Sequence, residues 1–144
     1  MDIYRLVYIS DQSKLMKKGE LAQITDQSRA RNEQLGVSGM LLASGGHFIQ
    51  VLEGNELRVF ALYNKIAADP RHCNVRRLLA KRVTTRLFPD WGMKLADTKH
   101  SIPLDRERVD KVLIRLRLAS TDAESSDALA LLNEFRAQLM RQAA

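Results

Sequence analysis

A pair of glycines between two apolar segments restricts the fold of this chain more than any other feature. The segments cover residues 37–44 (Val-Ser-Gly-Met-Leu-Leu-Ala-Ser) and 47–53 (His-Phe-Ile-Gln-Val-Leu-Glu), and Gly45-Gly46 lies between them. Short apolar runs are typical of strands, and adjacent glycines readily adopt the positive φ angles of a tight hairpin turn. The pattern therefore predicts a β-hairpin formed by these two segments.

One polar residue, Gln50, interrupts the second apolar segment. Because side chains alternate along a strand, Phe48, Gln50 and Leu52 are predicted to face the same side of the sheet. A buried amide without a hydrogen-bond partner costs about 1–3 kcal/mol, so we expect something polar to lie over that face. A hydrogen bond from Gln50 to neighbouring backbone is the simpler alternative, and this segment taken alone favours it.

Strand and helix patterns alternate on both sides of the predicted hairpin. Further strands are predicted at residues 2–9, within 75–87 and around 91–96, and helices at about 17–34 and 55–68. The order is β-α-β-β-α-β with an extra fifth strand, which predicts an α+β sandwich of the ferredoxin-like kind. Two helices would cover one face of the sheet, and a ligand could meet Gln50 between them.

The C-terminal part, residues 99–144, differs in pattern from the predicted domain of residues 1–98. Two amphipathic helices are predicted, at 105–118 and 122–141. The apolar residues of the first recur at the spacing of one helix face: Val109, Val112, Leu113 and Leu116. We expect this extension to cap the sheet face opposite the other two helices, with a partner or dimer surface as the alternative.

Positive charge is concentrated around the predicted fourth strand. The net charge of +6 lies before residue 104, and residues 71–89 contain no acidic side chain. The basic residues of this stretch are Arg71, Arg76, Arg77, Lys81, Arg82 and Arg86. An electrostatic surface for nucleic acid or an acidic partner is one interpretation. We favour a strand edge kept soluble by Lys and Arg, because no aromatic residues alternate with the charges.

Several classes of function receive no support from the sequence. A single cysteine, Cys73, excludes an internal disulfide, and no apolar run reaches the length of a membrane-spanning helix. The N-terminus lacks the apolar region of a signal peptide, so a cytoplasmic location is expected. His47, His72 and His100 make no metal-ligand spacing with Cys73. A Walker loop, a G-x-G-x-x-G motif and a nucleophile elbow are absent too, so neither an enzyme nor a metal site is expected.

A set of polar and aromatic residues could surround a ligand in this fold. Tyr8 is near the end of the first strand, and one face of the first helix carries Ser28, Arg31 and Asn32. Lys65 and Asp69 are four residues apart near the end of the second helix. Trp91 and Met93 alternate on the last strand. Each group also has an ordinary structural explanation. These explanations are a core tyrosine, a solvated helix end, an exposed ion pair and plain core packing.

The order and spacing of these residues closely resemble the BLUF family, which are flavin-based sensors of blue light. The matching segments are Leu6-Val7-Tyr8 with Ser10, Ser28-Arg29-Ala30-Arg31-Asn32, Leu35-Gly36-Val37-Ser38-Gly39-Met40-Leu41-Leu42, Phe48-Ile49-Gln50-Val51-Leu52-Glu53-Gly54, Leu62-Tyr63 with Ile66, Asp69-Pro70-Arg71-His72, and Phe88-Pro89-Asp90-Trp91-Gly92-Met93. The resemblance covers about residues 3–97. Beyond them, the tail is similar only in kind to the C-terminal helices of short, single-domain members.

The resemblance implies a blue-light photoreceptor that binds FAD non-covalently between the two helices. Tyr8 matches the tyrosine that donates an electron and a proton after light absorption, and Gln50 matches the glutamine whose amide then rearranges. Asn32 matches the asparagine that holds the carbonyl and imide edge of the flavin. Trp91 and Met93 match the strand whose packing beside the glutamine changes on signalling.

Three further positions are implied to contact the flavin or its immediate surroundings. They are Ser28, Lys65 and Asp69. Arg31 occupies a site where relatives carry asparagine or histidine, and we include it among the candidate flavin-binding residues. Lys65 stands where arginine is common, so it keeps the charge but loses the planar fork of hydrogen-bond donors.

The resemblance also implies an output through another molecule. The chain has no room for the cyclase or cyclic-dinucleotide phosphodiesterase domains of larger relatives. We therefore expect a separate downstream signalling protein and a homodimer or larger homo-oligomer, and we expect neither a membrane nor a nucleic-acid partner. The alternative is a flavin-free ferredoxin-like binding module that uses the basic stretch 71–86 for nucleic acid or an acidic partner.

Overall fold

The computed structural model of the chain describes residues 2–89 and 94–97 and scattered positions of the C-terminal part. Those positions are Lys111, Leu129, Ala130, Leu132, Asn133, Glu134 and Ala137. The elements are β1 (Ile3–Gln12), α1 (Glu20–Leu35), β2 (Ser38–Ser44), β3 (His47–Gly54), α2 (Glu56–Ala67), β4 (His72–Val83) and β5 (Lys94–Asp97). This order confirms the predicted α+β fold. Trp91, Met93 and most of the two predicted C-terminal helices lie outside the described residues.

The five strands form one sheet in the order β4-β1-β3-β2-β5. Strand β3 is antiparallel to both β1 and β2, β4 is antiparallel to β1, and β5 runs parallel to β2. The predicted hairpin is therefore correct, and Gly45 and Gly46 form its turn with φ angles of 57° and 81°. Strand β1 pairs with β3, the second strand of this hairpin, so β3 lies at the centre of the sheet.

Two predicted strand boundaries were wrong. Strand β1 continues to Gln12 rather than ending near residue 9, and β4 begins at His72 rather than near residue 75. The extra pairing passes through an irregularity at Asn74, whose φ is 53° and whose Nδ2 donates to Asp11 Oδ2 at 2.9 Å. Such a bulge depends on pairing with a distant strand, so the local strand pattern does not reveal it.

Alternation along the strands gives the sheet two apolar faces. On the helix face, the side that α1 and α2 cover, the buried side chains include Leu6, Tyr8, Phe48 and Leu52. On the opposite face, here called the tail face, the buried side chains are Val7, Ile9, Met40, Leu42, Ile49, Val51, Phe88 and Leu132. Leu132 and the neighbouring Leu129 thus place this part of the C-terminal extension on the tail face.

A buried charge fixes the connection between β4 and β5. Glu53, at the end of β3, is fully buried and accepts a hydrogen bond from Arg5 Nε at 2.9 Å. The same carboxylate accepts hydrogen bonds from the backbone N–H groups of Leu87 and Phe88, at 3.0 and 2.9 Å. These bonds hold the connection against the tail face and seat Phe88 in its apolar cluster.

Gly39 on β2 gives a test of this packing. A Cβ added at Gly39 would overlap the carbonyl oxygen of Val51 on β3, and neither backbone can move without breaking the ladder. We expect Gly39→Ala to lower the free energy of unfolding by about 3 kcal/mol in urea denaturation. Gly36→Ala is the control, because open space surrounds that position and only its φ of 67° opposes a side chain. It should cost about 1 kcal/mol, and equal losses for the two variants would contradict the packing.

Candidate functional site

Tyr8 and Gln50 face each other across the centre of the sheet. They are direct partners in the antiparallel register of β1 and β3, and both side chains point to the helix face. Tyr8 is fully buried, Gln50 is 6% exposed, and the Tyr8 hydroxyl donates a hydrogen bond to Gln50 Oε1. The sequence predicted a polar group over Gln50, and the tyrosine side chain on the adjacent strand supplies one.

The surroundings of Tyr8 keep its phenol protonated. Complete burial raises the pKa of Tyr8 well above its usual value, and the charge that Tyr63 would carry on ionisation raises it further. The Tyr63 ring lies edge-on, with the two ring centroids 5.5 Å apart. At neutral pH the Tyr8 hydroxyl therefore acts as a hydrogen-bond donor toward Gln50.

A cleft opens between α1 and α2, and neither Tyr8 nor Gln50 is among the residues that line it. It consists of two cavities of about 250 and about 240 Å³, and both are lined by Arg31 from α1 and Lys65 from α2. Leu62 lines the first cavity, and Ser28 and Asp69 line the second. The structure therefore brings together four of the predicted site residues, Ser28, Arg31, Lys65 and Asp69, in one cleft.

Arg31 and Asn32 are neighbours on α1, and of the two only Arg31 lines the cavities. Asn32 is fully buried on α1, which ends at Gly36 in the left-handed conformation. The Nε atom of Arg31 is buried and has no hydrogen-bond partner within the described part of the chain. A buried donor of this kind, close to Lys65, fits a ligand that carries carbonyl or phosphate oxygens. A flavin nucleotide has both, so the residues present fit this cofactor.

The carboxylate of Asp69 pairs with Arg71, and not with Lys65 as the exposed ion pair considered from the sequence would require. Helix α2 ends at Ala67, so Asp69 lies outside the helix that carries Lys65, although both residues line the second cavity. Its carboxylate instead accepts hydrogen bonds from Arg71 Nε at 3.0 Å and Nη2 at 2.6 Å. The hydrogen bonds from Arg71 lower the pKa of Asp69 to about 2.

Arg71 lines the cleft, although the sequence placed it in the basic stretch and not among the candidate site residues. Its Nη1 donates to Glu20 Oε2 at 3.1 Å, so the guanidinium links the start of α1 to the chain just after α2. The guanidinium lies within the lining of the second cavity, beside His72. Burial lowers the pKa of His72. A local signal was present, since Arg71 follows Asp69 by two residues in the turn after a helix.

The basic stretch makes contacts within its own protein. Strand β4 is an edge of the described sheet, as the favoured interpretation requires. Arg82 pairs with Glu56 at 3.2 Å, and Arg77 lies over the Phe60 ring, 5.9 Å from its centroid. Arg86 donates to Ser38 Oγ at 2.9 Å and to a backbone carbonyl at 2.8 Å. Much of the positive charge of this stretch is therefore engaged in contacts with α2 and with the end of α1.

The described residues contain neither a metal-binding cluster nor a membrane-spanning helix. No three His, Cys, Asp or Glu side chains of this part of the chain come together as a metal site. None of the helices that the structure describes is long and apolar enough to cross a bilayer.

Comparisons with known proteins point to one family. A family model described as "BLUF: Sensors of blue-light using FAD" matches residues 3–94. The blue light- and temperature-regulated antirepressor BluF of Escherichia coli (strain K12) is 40% identical over 97 residues, which are 67% of this chain and 23% of that protein. The photoactivated adenylate cyclase subunit alpha of Euglena gracilis is 39% identical over 92 residues, which are 62% of this chain and 9% of that protein. The match therefore spans less than a quarter of these curated relatives.

Solved structures share the fold. BlrB, a BLUF protein in its dark state, has a TM-score of 0.74 and 31% identity, over 95% of this chain and 96% of that one. A bacterial light-regulated adenylyl cyclase has a TM-score of 0.71 and 31% identity, over 92% of this chain and 39% of that one. BlsA in its photo-activated state has a TM-score of 0.74 at 23% identity, which supports the fold alone.

The pairing of Asp69 with Arg71 can be tested by titration. A lowered pKa means that this ion pair stabilises the fold above the ordinary carboxylate pKa, near 4, and loses that effect as the pH falls toward 2. We expect Arg71→Gln to return the pKa of Asp69 from about 2 toward 4, measured by carboxyl NMR. Arg29→Gln is the control, since Arg29 pairs with Asp26 on the surface. An unchanged Asp69 titration in Arg71→Gln would contradict the pairing.

Proposed function

The chain belongs to the BLUF family of flavin-based blue-light sensors, and we propose that it is a blue-light photoreceptor whose response is carried by Tyr8 and Gln50. It would bind FAD non-covalently in the cleft between α1 and α2, act in the cytoplasm and catalyse no reaction of its own. The observation that carries the proposal is the buried hydrogen bond from the Tyr8 hydroxyl to Gln50 Oε1. This bond joins a proton donor to an amide that can both donate and accept, as a reversible rearrangement requires.

Tyr8 supplies the proton and the electron of the proposed response. Burial keeps its proton in place at neutral pH, because the raised pKa of Tyr8 disfavours the phenolate. A phenol becomes strongly acidic once it loses an electron, so proton release from Tyr8 is tied to electron loss. A bound flavin would supply the absorption of blue light and, when excited, the electron acceptor. The Tyr8 proton would then move along the existing hydrogen bond to Gln50 Oε1.

Gln50 supplies the stable change. In the present arrangement its Oε1 atom accepts from Tyr8. The electron and the proton would then return to Tyr8, while the amide stays rotated. Nε2 would now face Tyr8 Oη and Oε1 a new partner, so donor and acceptor exchange places at the same site with no net change of oxidation state. No covalent bond between protein and cofactor is made, so the rearranged state returns to the first one in the dark.

Five residues around the cleft are proposed to hold the flavin. They are Ser28, Arg31, Asn32, Lys65 and Asp69. Arg31 and Lys65 bring positive charge to both cavities, which suits carbonyl and phosphate oxygens. The buried Asn32 amide can donate and accept at the same time, as the imide edge of a flavin ring requires. The preference for FAD over FMN is part of the proposal and is supported by the description of the family.

The output is proposed to pass to a separate signalling protein, with self-association into a homodimer or larger homo-oligomer. BluF is described as an antirepressor and the Euglena relatives as cyclase subunits, so light sensing is combined with different outputs in these relatives. An exposed free thiol at Cys73 fits the reducing cytoplasm.

Gln50→Leu tests the role of the amide. The variant removes both hydrogen-bonding groups and keeps a similar volume on an apolar face, so flavin should remain bound. We expect the red-shifted product seen after blue light to disappear from the difference spectrum. Gln34→Leu, the same substitution at an exposed position of α1, should keep the shift. A normal photocycle in Gln50→Leu would rule out the proposed role.

Tyr8→Phe tests the donor. The variant keeps the buried ring and removes the hydroxyl that bonds to Gln50. Blue light should then yield no red-shifted product. Tyr63→Phe is the matched control, because its ring lies beside Tyr8 on the same face of the sheet and its loss of a hydroxyl leaves the bond to Gln50 intact. If Tyr8→Phe still gives the red-shifted product and Tyr63→Phe does not, then Tyr63 and not Tyr8 is the donor.

A further inference from the structure

Glu53 is a buried charge that the proposed photochemistry does not use. Its side chain is fully buried, and Arg5, its ion-pair partner, is only 10% exposed. The oxygens accept from Arg5 Nε at 2.9 Å, from Leu87 N at 3.0 and 3.1 Å, and from Phe88 N at 2.9 Å. Every one of these contacts is a donor, so only an acceptor-only group such as an ionised carboxylate satisfies them all.

The position of Glu53 on β3 connects the two faces of the sheet. Gln50 and Glu53 are three residues apart on one strand, so their side chains lie on opposite faces. Glu53 stands directly opposite Arg5 in the register with β1, as Gln50 stands opposite Tyr8. A displacement of β3 against β1 therefore affects both pairs.

The groups that Glu53 holds belong to the connection between β4 and β5. Phe88 is 1% exposed and packs in the tail-face cluster with Leu132 of the C-terminal extension. The same connection is fixed at two more points: Arg5 Nη2 donates to Thr85 O at 3.1 Å, and Arg86 donates to Ser38 Oγ at 2.9 Å. The connection is thus attached to β1, β2 and β3 at once.

We infer that Glu53 is the positioning residue that couples β3 to the C-terminal extension, through the backbone of Leu87 and Phe88 and the Phe88 ring. The inference rests on the proposed function, because it gives a light-driven change at Gln50 a second consequence on the other face of the same strand. When β3 shifts, the carboxylate moves with it, and the two N–H groups that it holds follow. Phe88 then repacks against Leu132, so the extension senses the state of Gln50.

The test is hydrogen–deuterium exchange on the full chain with FAD bound, in the dark and under blue light, beside the absorption difference spectrum. In the wild type we expect slow exchange at Leu87 and Phe88 in the dark and faster exchange there and around Leu132 in the light. Glu53→Gln should keep the red shift, because Tyr8 and Gln50 lie on the other face. It should raise the dark exchange rate of the Leu87 and Phe88 N–H groups about tenfold or more, because the NH2 group of the new glutamine faces N–H donors and cannot accept from them. It should also remove the difference in exchange between light and dark.

Glu56→Gln is the matched control, because it makes the same substitution at a glutamate that is paired with Arg82 at the surface. It should behave as the wild type. Phe88→Leu serves as a second variant in case Glu53→Gln does not fold. It keeps the backbone bonds to Glu53 and reduces only the packing, so the red shift should remain while the light-dependent difference around Leu132 is lost.

The outcomes separate this inference from the proposed function. A wild-type protein that shows the red shift but exchanges equally in light and dark at Leu87 and Phe88 overturns the coupling and leaves the photoreceptor intact. So does a full light-dependent difference around Leu132 in Phe88→Leu. A wild-type protein with no red shift contradicts the proposed function itself. In that case unchanged dark exchange at the two amides in Glu53→Gln would also overturn the positioning role.

Discussion

The antiparallel register of β1 and β3 sets Tyr8 opposite Gln50 and Arg5 opposite Glu53. One pairing of strands thus places a neutral buried hydrogen bond on the helix face and a buried ion pair on the tail face. A slip of one residue would turn every side chain of β1 to the wrong face and separate both pairs. Each strand contributes one residue to each pair, so a displacement of β3 against β1 moves the site and the anchor of the β4–β5 connection together.

The two pairs differ in how strongly they resist change. A neutral hydrogen bond such as the one between Tyr8 and Gln50 contributes about 1 kcal/mol net. Breaking it to form an alternative arrangement of the amide therefore costs little free energy. Removal of one partner from a buried ion pair such as Arg5 and Glu53 costs about 3–5 kcal/mol, because a charge is left without compensation. The helix face therefore carries a contact that can rearrange, and the tail face carries one that holds the backbone of Leu87 and Phe88 firmly in place.

The parts of the fold that the sequence could predict are those with local causes. Gly45-Gly46 marks the hairpin, and the spacing of Val59 and Leu62 marks the buried side of α2. The partner of Gln50 could not be read in this way, because it depends on which strand lies beside β3 and in which register. The role of Glu53 was missed for a related reason, since Phe88 is 35 residues away from it. For Arg71 the pairing with nearby Asp69 could have been found locally, whereas its contact with Glu20, 51 residues away, could not.

Arg31 shows how the helix face differs from the tail face. The tail face is closed by the protein's own side chains, since Phe88 and Leu132 are buried there and the donors around Glu53 are satisfied. On the helix face the Nε atom of Arg31 is buried beside the cleft, with no hydrogen-bond partner in the part of the chain that the structure describes. A buried donor left without a partner costs about 1–3 kcal/mol, and folded proteins carry that cost mainly at functional sites. The cleft therefore has the character of a site that a ligand completes, whereas the sheet face behind it is completed by the chain itself.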